Sequence, residues 1–311
     1  PDRLAAGFVS KLSAEAIRPW IGRVASTVVE GWGDDCREDV ACRAAFRALG
    51  VASVATTEHF VRMARTSKEL KQAGTDVRAF DLRQQSIIAE HRGYARLASK
   101  LHERGIRRPL LVCDAGLDES PLAEYLGALA VDFVRFDVLT ERASDHRVGD
   151  GISTFLSNGC DGILAIGGEA AIETGKCIAL FAGQDDGWAL ADEDYRYSHV
   201  PQIALPIGAG GGAESTPFSW LESPEAVRLV AHESMLPDLV FLDSALDVAV
   251  PRDRRAAEVL KTLSRCIEAM WALKACDESQ QKALSAIDLL MQSLFTYLRD
   301  PKPDAVRRVM L

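Results

Sequence analysis

The sequence lacks the features that define several large classes of protein. It has no uninterrupted apolar run of about 18 residues, so we expect no membrane-spanning helix. It also has no surplus of basic residues, because 36 Lys and Arg stand against 45 Asp and Glu, for a net charge of −9. Binding to nucleic acid needs a basic footprint. The composition therefore argues against nucleic acid and membrane as partners.

Cysteine and histidine show no metal or disulfide pattern. The cysteines number seven, an odd count, and no Cys-x-x-Cys occurs. The six histidines lack metal-ligand spacing, and none follows His232. The first twenty residues do not show the charged-then-apolar order of a secretory signal. We therefore read the cysteines as reduced core residues and expect a cytoplasmic protein.

What the sequence does contain is an alternation of short apolar strands with helical segments. Strands are predicted at 110–113, 133–136, 162–166, 202–205 and 239–242, and the segments between them predict parallel βαβ units. Apolar spacing of three and four predicts helices before and after this region. The fold class is therefore α/β, with a parallel-sheet, nucleotide-binding-like domain at 83–247. A helical extension at 1–82 precedes it, and a partial all-helical domain at 248–311 follows it.

The segment 161–176, DGILAIGGEAAIETGK, is the most informative motif. An apolar strand runs into Gly167 and Gly168 and then into a helix, which is how a nucleotide-binding fold places phosphate on a helix N-terminus. The next residue is Glu169, whose carboxylate would repel a phosphate about 4 Å away by roughly 1–4 kcal/mol. Glu169 could be a solvated cap of the following helix, favourably placed against its dipole, or a catalytic acid.

Five motifs occur in the order typical of one family. They read RRPLLVCDAGL, AIGGEAAIETGK, ALPIGAGGGAEST, PDLVFLDSAL and KTLSRCIEAMWA. Together they resemble the iron-containing (group III) alcohol dehydrogenases, which share their fold with dehydroquinate synthase and glycerol dehydrogenase. The resemblance covers roughly residues 86–311. It implies an NAD(P) cofactor and an iron or zinc ion. The positions that it implies for cofactor binding are Asp114, Gly167, Gly168, Lys176, Gly210 and Gly212.

The sequence departs from the family at the polar positions of both loops. The third glycine, the serine and the aspartate of the family's first loop are replaced by Glu169, Ala170 and Glu173. Hydroxyl positions of the second loop are replaced by Ile207, Gly208, Gly211 and Ala213. Those hydroxyls would contact the phosphate and amide of the cofactor, so their loss argues against NAD(P) binding.

The metal-ligand positions depart further. The family places an Asp and a His four residues apart on one helix, so that both reach the same metal. The matching residues here are Lys261 and Arg265. Arg stays protonated, and Lys would need a strongly lowered pKa to become a ligand. We therefore expect no bound metal at this position.

Several of these residues have two readings. Lys261 and Arg265 could bind an anionic substrate as a catalytic pair, or they could form a solvated helix face beside Glu268. Lys176 could bind phosphate or serve as a structural lysine. Asp114 could bind an adenosine ribose or be a solvated turn residue. His232 could lie near a cleft.

The combined departures predict a degenerate homologue of the iron-containing alcohol dehydrogenases that lacks the metal site. The first hypothesis is a non-catalytic partner or substrate-presenting subunit of an active dehydrogenase. The alternative is a metal-independent NAD(P)-dependent oxidoreductase in which Lys261 and Arg265 replace the metal. The expected partners are a second copy of the chain or an intact dehydrogenase, and residues 1–80 could recognise a peptide or protein substrate.

Overall fold

A computed structural model describes residues 85–311, apart from 115–116, 119–120, 139–141, 185–194, 196–198, 209–211, 225–226, 248–249, 251, 273–274, 276, 300–305, 307–308 and 310–311. The described residues all belong to one compact unit. The helical extension expected at 1–82 lies outside them. The boundaries expected at 83, 247 and 248 stay predictions.

The described elements alternate strand and helix along the chain. The strands are β1 Ser86–Ile88, β2 Pro109–Cys113, β3 Val134–Asp137, β4 Ala143–Ser144, β5 Gly162–Gly167, β6 Gln202–Pro206, β7 Phe218–Glu222, β8 Val227–Ala231 and β9 Leu239–Phe241. The helices are α1 Leu97–Glu103, α2 Pro121–Ala128, α3 Asp145–Ser157, α4 Glu169–Ala182, α5 Arg252–Trp271 and α6 Asp277–Arg299. Short 3₁₀ turns occupy Gly93–Arg96, Ala213–Ser215 and Glu233–Met235.

Six strands form a parallel sheet in the order β1-β9-β6-β5-β2-β3. The central strands β2, β5 and β6 are buried along their whole length. A parallel strand covered by helices on both faces needs a continuous apolar run, which is why PLLVC and GILAIG carry no alternating polar residues. The predicted α/β class is confirmed. The register pairs Cys113 with Ile166 and Ile166 with Leu205, so the carboxyl ends of these strands lie side by side.

Alternate side chains of β5 enter two different cores. Ile163 and Ala165 belong to the cluster that includes Ile172 and Ile178 of α4. Leu164 and Ile166 belong to the cluster that includes residues of α1 and α2. Successive side chains of a strand point to opposite faces. Two helical layers therefore cover the sheet.

A second, three-stranded sheet was not predicted from the sequence. Its order is β4-β7-β8, and β7 and β8 form an antiparallel pair. Strand β7 alternates buried with exposed or half-buried residues, as FSWLE shows. That period of two is typical of a half-buried strand, but only five residues display it. The helices predicted after the sheet, at 254–273 and 279–298, are confirmed, and their ends lie within two residues of those of α5 and α6. None of the described helices combines the length and apolar character that crossing a bilayer requires.

Candidate functional site

The glycine turn after β5 is closed by an aspartate from the neighbouring strand end. Asp114 follows β2, and its Oδ2 accepts a hydrogen bond from the backbone N–H of Gly168 at 2.7 Å. Gly167 has a φ of 143°, and a Cβ added there would lie 2.6 Å from Asp114 Oδ2. Glycine is needed at 167 for both reasons. One carboxylate oxygen of Asp114 thus binds the turn itself.

Helix α4 begins immediately after the turn, at Glu169. The two carboxylate oxygens of Glu169 accept hydrogen bonds from Lys261 Nζ and from Arg265 Nη2, the latter at 2.5 Å. Lys261 and Arg265 lie one turn apart on α5, so both reach the same carboxylate. We call these three residues the Glu169 clasp. It joins the start of α4 to the middle of α5, a pairing that neither reading of Lys261 and Arg265 from the sequence included.

The electrostatics of the clasp favour an ionised glutamate. Burial raises the pKa of Glu169, and the hydrogen bonds and charges of Lys261 and Arg265 outweigh burial, so its pKa lies below the ordinary value. The Glu169 side chain is 26% exposed, whereas those of Lys261 and Arg265 are 44% and 43% exposed. The carboxylate is therefore not a solvated helix cap. The clasp carries one negative and two positive charges and leaves its cations partly open to solvent.

The clasp belongs to a charged stripe on α5. Arg254, Glu258, Lys261 and Arg265 follow one another at spacings of four, three and four, which places them on one helix face. Arg254 and Glu258 form an ion pair at 3.4 Å. This regular spacing is visible in the sequence, although only Lys261 and Arg265 belong to the motif that resembles the family.

The stripe lies over the glycines at the ends of β5 and β6. A Cβ added to Gly168 would lie 3.0 Å from Arg254 Nη2, and one added to Gly208 would overlap the Glu258 carboxylate. A Cβ at Gly212, whose φ is 65°, would lie 3.4 Å from Arg265 Nη1. Three of the stripe's side chains therefore contact the two loops directly. Gly210, also expected to bind cofactor, lies outside the described residues.

Beneath the clasp, α4 carries a buried lysine. Lys176 is 1% exposed, and its Nζ donates to the carbonyl of Ala213 at 2.7 Å and to Thr216 Oγ1 at 3.2 Å. Burial lowers the pKa of Lys176 to about 8, although the nearby Glu173 carboxylate opposes this. Of the two readings of Lys176, these contacts support the structural one, since the lysine ties α4 to the second loop.

Glu173, which stands where the family has an aspartate, is a buried acid. It is 6% exposed, and burial, with the charge of Glu169 added, raises its pKa to about 7. Its place one helical turn after Glu169 is the signal that could have identified it. His232, in contrast, accepts a hydrogen bond from the Ser234 backbone N–H at 3.2 Å and caps the turn that follows it.

The residues present here do not fit an iron or zinc ion. Lys261 and Arg265 occupy the positions expected of ligands, and both donate hydrogen bonds to Glu169. A protonated guanidinium has no lone pair to give a metal. Within the described part of the chain, no three His, Cys, Asp or Glu side chains come together as a metal-binding group. We therefore derive no metal chemistry at this site.

The turn also fits poorly to a pyrophosphate in the usual pose. The Gly168 amide is used by Asp114, and Glu169 places a carboxylate beside the first turn of α4. A helix N-terminus attracts phosphate through its backbone N–H groups and its dipole. Both contributions are reduced here by a carboxylate.

Comparisons with known proteins agree with the architecture. The family model for iron-containing alcohol dehydrogenase matches residues 84–244, about half of the chain. The chain belongs to the iron-containing alcohol dehydrogenase family.

Individual relatives match only part of their own length. The probable alcohol dehydrogenase EutG of Escherichia coli is 30% identical over 147 residues, which are 46% of this chain and 37% of the relative. The NAD-dependent methanol dehydrogenase of Bacillus methanolicus is 27% identical over 208 residues, 64% of this chain and 54% of the relative. The chain thus spans between about a third and a half of these relatives.

A solved structure shows the same fold at low sequence identity. The sulfoacetaldehyde reductase from Bifidobacterium kashiwanohense, in complex with NAD⁺, has a TM-score of 0.68 and 21% identity. The likeness covers 75% of this chain and 63% of that chain. The parallel sheet and its covering helices are therefore a shared scaffold.

Proposed function

We propose that this chain is a member of its family that does not carry out metal-assisted hydride transfer and instead acts as a non-catalytic partner, or a substrate-presenting subunit, of an intact dehydrogenase. The observation that carries the proposal is the Glu169 clasp. The residue that replaces a phosphate-turn glycine is bonded to the two residues that replace metal ligands. Both departures therefore meet in one intramolecular contact.

Each charged group of the clasp already has a partner of opposite charge, since the Glu169 carboxylate accepts hydrogen bonds from Lys261 and Arg265. A metal at this position would have to displace two protonated side chains from a carboxylate, and they would repel it. Without the ion, the Lewis-acid contribution to alcohol oxidation is lost. A phosphate would face Glu169 directly. These features support a scaffold whose use lies in binding rather than in hydride transfer.

A cofactor titration with a positive control tests the proposal. We would titrate the purified chain with NADH and NADPH by cofactor fluorescence, and then assay alcohol oxidation with NAD⁺ or NADP⁺ in the presence of Fe²⁺ or Zn²⁺. The methanol dehydrogenase of Bacillus methanolicus serves as the active relative. We expect no binding up to about 1 mM, which is weaker than roughly −4 kcal/mol, and no turnover. Full conversion of an alcohol by the chain alone would refute the proposal.

The partner itself is tested by association. We propose a homodimer or a mixed complex with an intact dehydrogenase of the same family, in the cytoplasm, and a role for residues 1–80 in binding a peptide or protein substrate. Light scattering after gel filtration of the chain, alone and mixed with the candidate dehydrogenase, measures the mass of each species. A monomer under both conditions would contradict the partner proposal and leave the titration result intact.

A second candidate is a metal-independent, NAD(P)-dependent oxidoreductase that uses Lys261 and Arg265. The observation in its favour is the excess of one positive charge in the clasp, on cations that remain 44% and 43% exposed. Such cations could stabilise a developing alkoxide or enolate. NADH binding tighter than about 100 μM, near −5.5 kcal/mol, would favour this candidate. A Lys261→Ala/Arg265→Ala variant should then lose activity that Glu169→Gln retains.

A further inference from the structure

A second polar cluster lies away from the charged stripe, around the first turn of α5. It consists of Asp247, Arg255 and Tyr297, which are 0%, 8% and 0% exposed. Asp247 follows β9, and Tyr297 lies on α6. Arg255 lies about 100° around the helix axis from the stripe residue Arg254. The cluster therefore joins the end of the sheet to both C-terminal helices.

Part of this cluster is bonded within the protein. The Tyr297 hydroxyl donates a hydrogen bond to Asp247 Oδ1 at 2.8 Å. The Arg255 guanidinium carbon lies 5.8 Å from the centroid of the Tyr297 ring, within reach of a cation–π interaction. Tyr297 thus contacts the buried anion with its hydroxyl and the buried cation with its ring face.

Three other polar atoms of the cluster have no partner among the described residues. Asp247 Oδ2 and Arg255 Nε and Nη1 form no hydrogen bond with them. Asp247 and Arg255 are close enough for the arginine to lower the pKa of the aspartate, yet burial dominates and raises that pKa to about 6. A buried polar atom without a hydrogen-bond partner is unfavourable, and ordered water commonly supplies the missing partner.

We propose that these atoms form a binding site for ordered water, which bridges Arg255 to Asp247. The bridging molecule must accept from the guanidinium and donate to the carboxylate, and it must carry no net charge because the site already holds one charge of each sign. Water meets these requirements, and a buried water commonly makes about three hydrogen bonds. The site does not depend on the proposed function. It fastens the start of α5, the helix that carries the Glu169 clasp.

A crystal structure of the full chain at atomic resolution tests the identity of the ligand. The proposal expects a water within hydrogen-bonding distance of Asp247 Oδ2 and of Arg255 Nε or Nη1. A direct contact between Asp247 and Arg255 would overturn it. A bound anion or organic molecule in place of water would overturn it as well.

Thermal melting of Arg255→Met, Asp247→Leu, their double variant and the control Arg299→Met tests the energetic consequence in solution. Arg255→Met leaves Asp247 buried without its cation, so we expect the Tm to fall by more than about 5 °C. Arg299→Met, on the exposed end of α6, is the matched control and should change the Tm by less than about 2 °C. The Asp247→Leu/Arg255→Met pair should fall by less than the sum of its single variants. Additive losses, or an Arg255→Met shift no larger than the control, would show that no bridged pair exists.

Discussion

The Glu169 clasp makes a quantitative prediction about stability. Replacing Glu169 by glutamine keeps the shape of the side chain and removes the charge that holds Lys261 and Arg265. Exposed ion pairs contribute about 0.2–1 kcal/mol each, because solvent screens them. With two such pairs on one half-buried carboxylate, we expect Glu169→Gln to lower the free energy of unfolding by about 1–2 kcal/mol. The matched control is Glu278→Gln, whose pair with Lys282 is at least 76% exposed on both sides.

The assay is urea unfolding of Glu169→Gln, Arg265→Gln and the double variant at neutral pH. A coupling free energy of about 0.5–1 kcal/mol between the two sites is expected, and it should shrink at 1 M NaCl, where the Debye length is about 3 Å. Because the pKa of folded Glu169 is lowered, its stabilisation is present above the unfolded pKa and is lost as the pH falls through the folded pKa. A loss equal to that of Glu278→Gln, with zero coupling, would refute the clasp.

Three further predictions concern buried positions. The pKa of Asp247 is raised from 3.8 to about 6, so the free energy of unfolding of the wild type should fall by up to about 3 kcal/mol as the pH rises from about 4 to about 6. In urea unfolding, Asp247→Asn should lose this pH dependence. An unchanged pH dependence in the variant would contradict the assignment. Lys176→Met removes the donor to the Ala213 carbonyl and leaves Glu173 buried without its cation. We therefore expect the free energy of unfolding to fall by about 3–5 kcal/mol, which thermal melting checks. A fall under about 1 kcal/mol would show that Lys176 is dispensable for stability. Gly167→Ala should lower the free energy of unfolding more than Gly159→Ala, because both glycines have positive φ but only Gly167 lies against a neighbouring carboxylate. We expect a fall of about 1–2 kcal/mol for Gly159→Ala from backbone strain alone. Equal falls in urea unfolding would contradict the close approach of Asp114.

The central strands and the long helices were predictable because local pattern and tertiary context agree there. The fully apolar runs of β2 and β5 permit only burial on both faces. Strand β5, the glycine turn and helix α4 follow one another without interruption in residues 162–182, so their sequence signals are continuous. Strands β7 and β8 gave weaker signals, because each spans five residues and half of each strand faces away from the core. Short alternating segments depend on the neighbour that covers them.

The residues of the site were identified, but their partners were not. Asp114, Glu169, Lys176, Lys261 and Arg265 all have identifiable positions in the motifs. Spacing along the chain suggested a solvated Glu169 and a pairing of Arg265 with Glu268, because near neighbours along a helix are the only contacts that spacing reveals. Glu169 and Arg265 are 96 positions apart in sequence. Only the packing of α5 over the ends of β5 and β6 makes them a pair.

The sequence by itself determined the order of the elements, the α/β class and the family, because apolar period and turn residues act over short distances. It also determined that two cations stand where metal ligands are expected. The tertiary structure decided which carboxylate those cations bind and which groups the Lys176 amino group contacts. It also decided which buried atoms of Asp247 and Arg255 have no hydrogen-bond partner among the described residues. The physical reason is that charges and hydrogen-bonding groups are satisfied by whatever the fold brings within about 3 Å, and that distance is set by helix packing rather than by position along the chain.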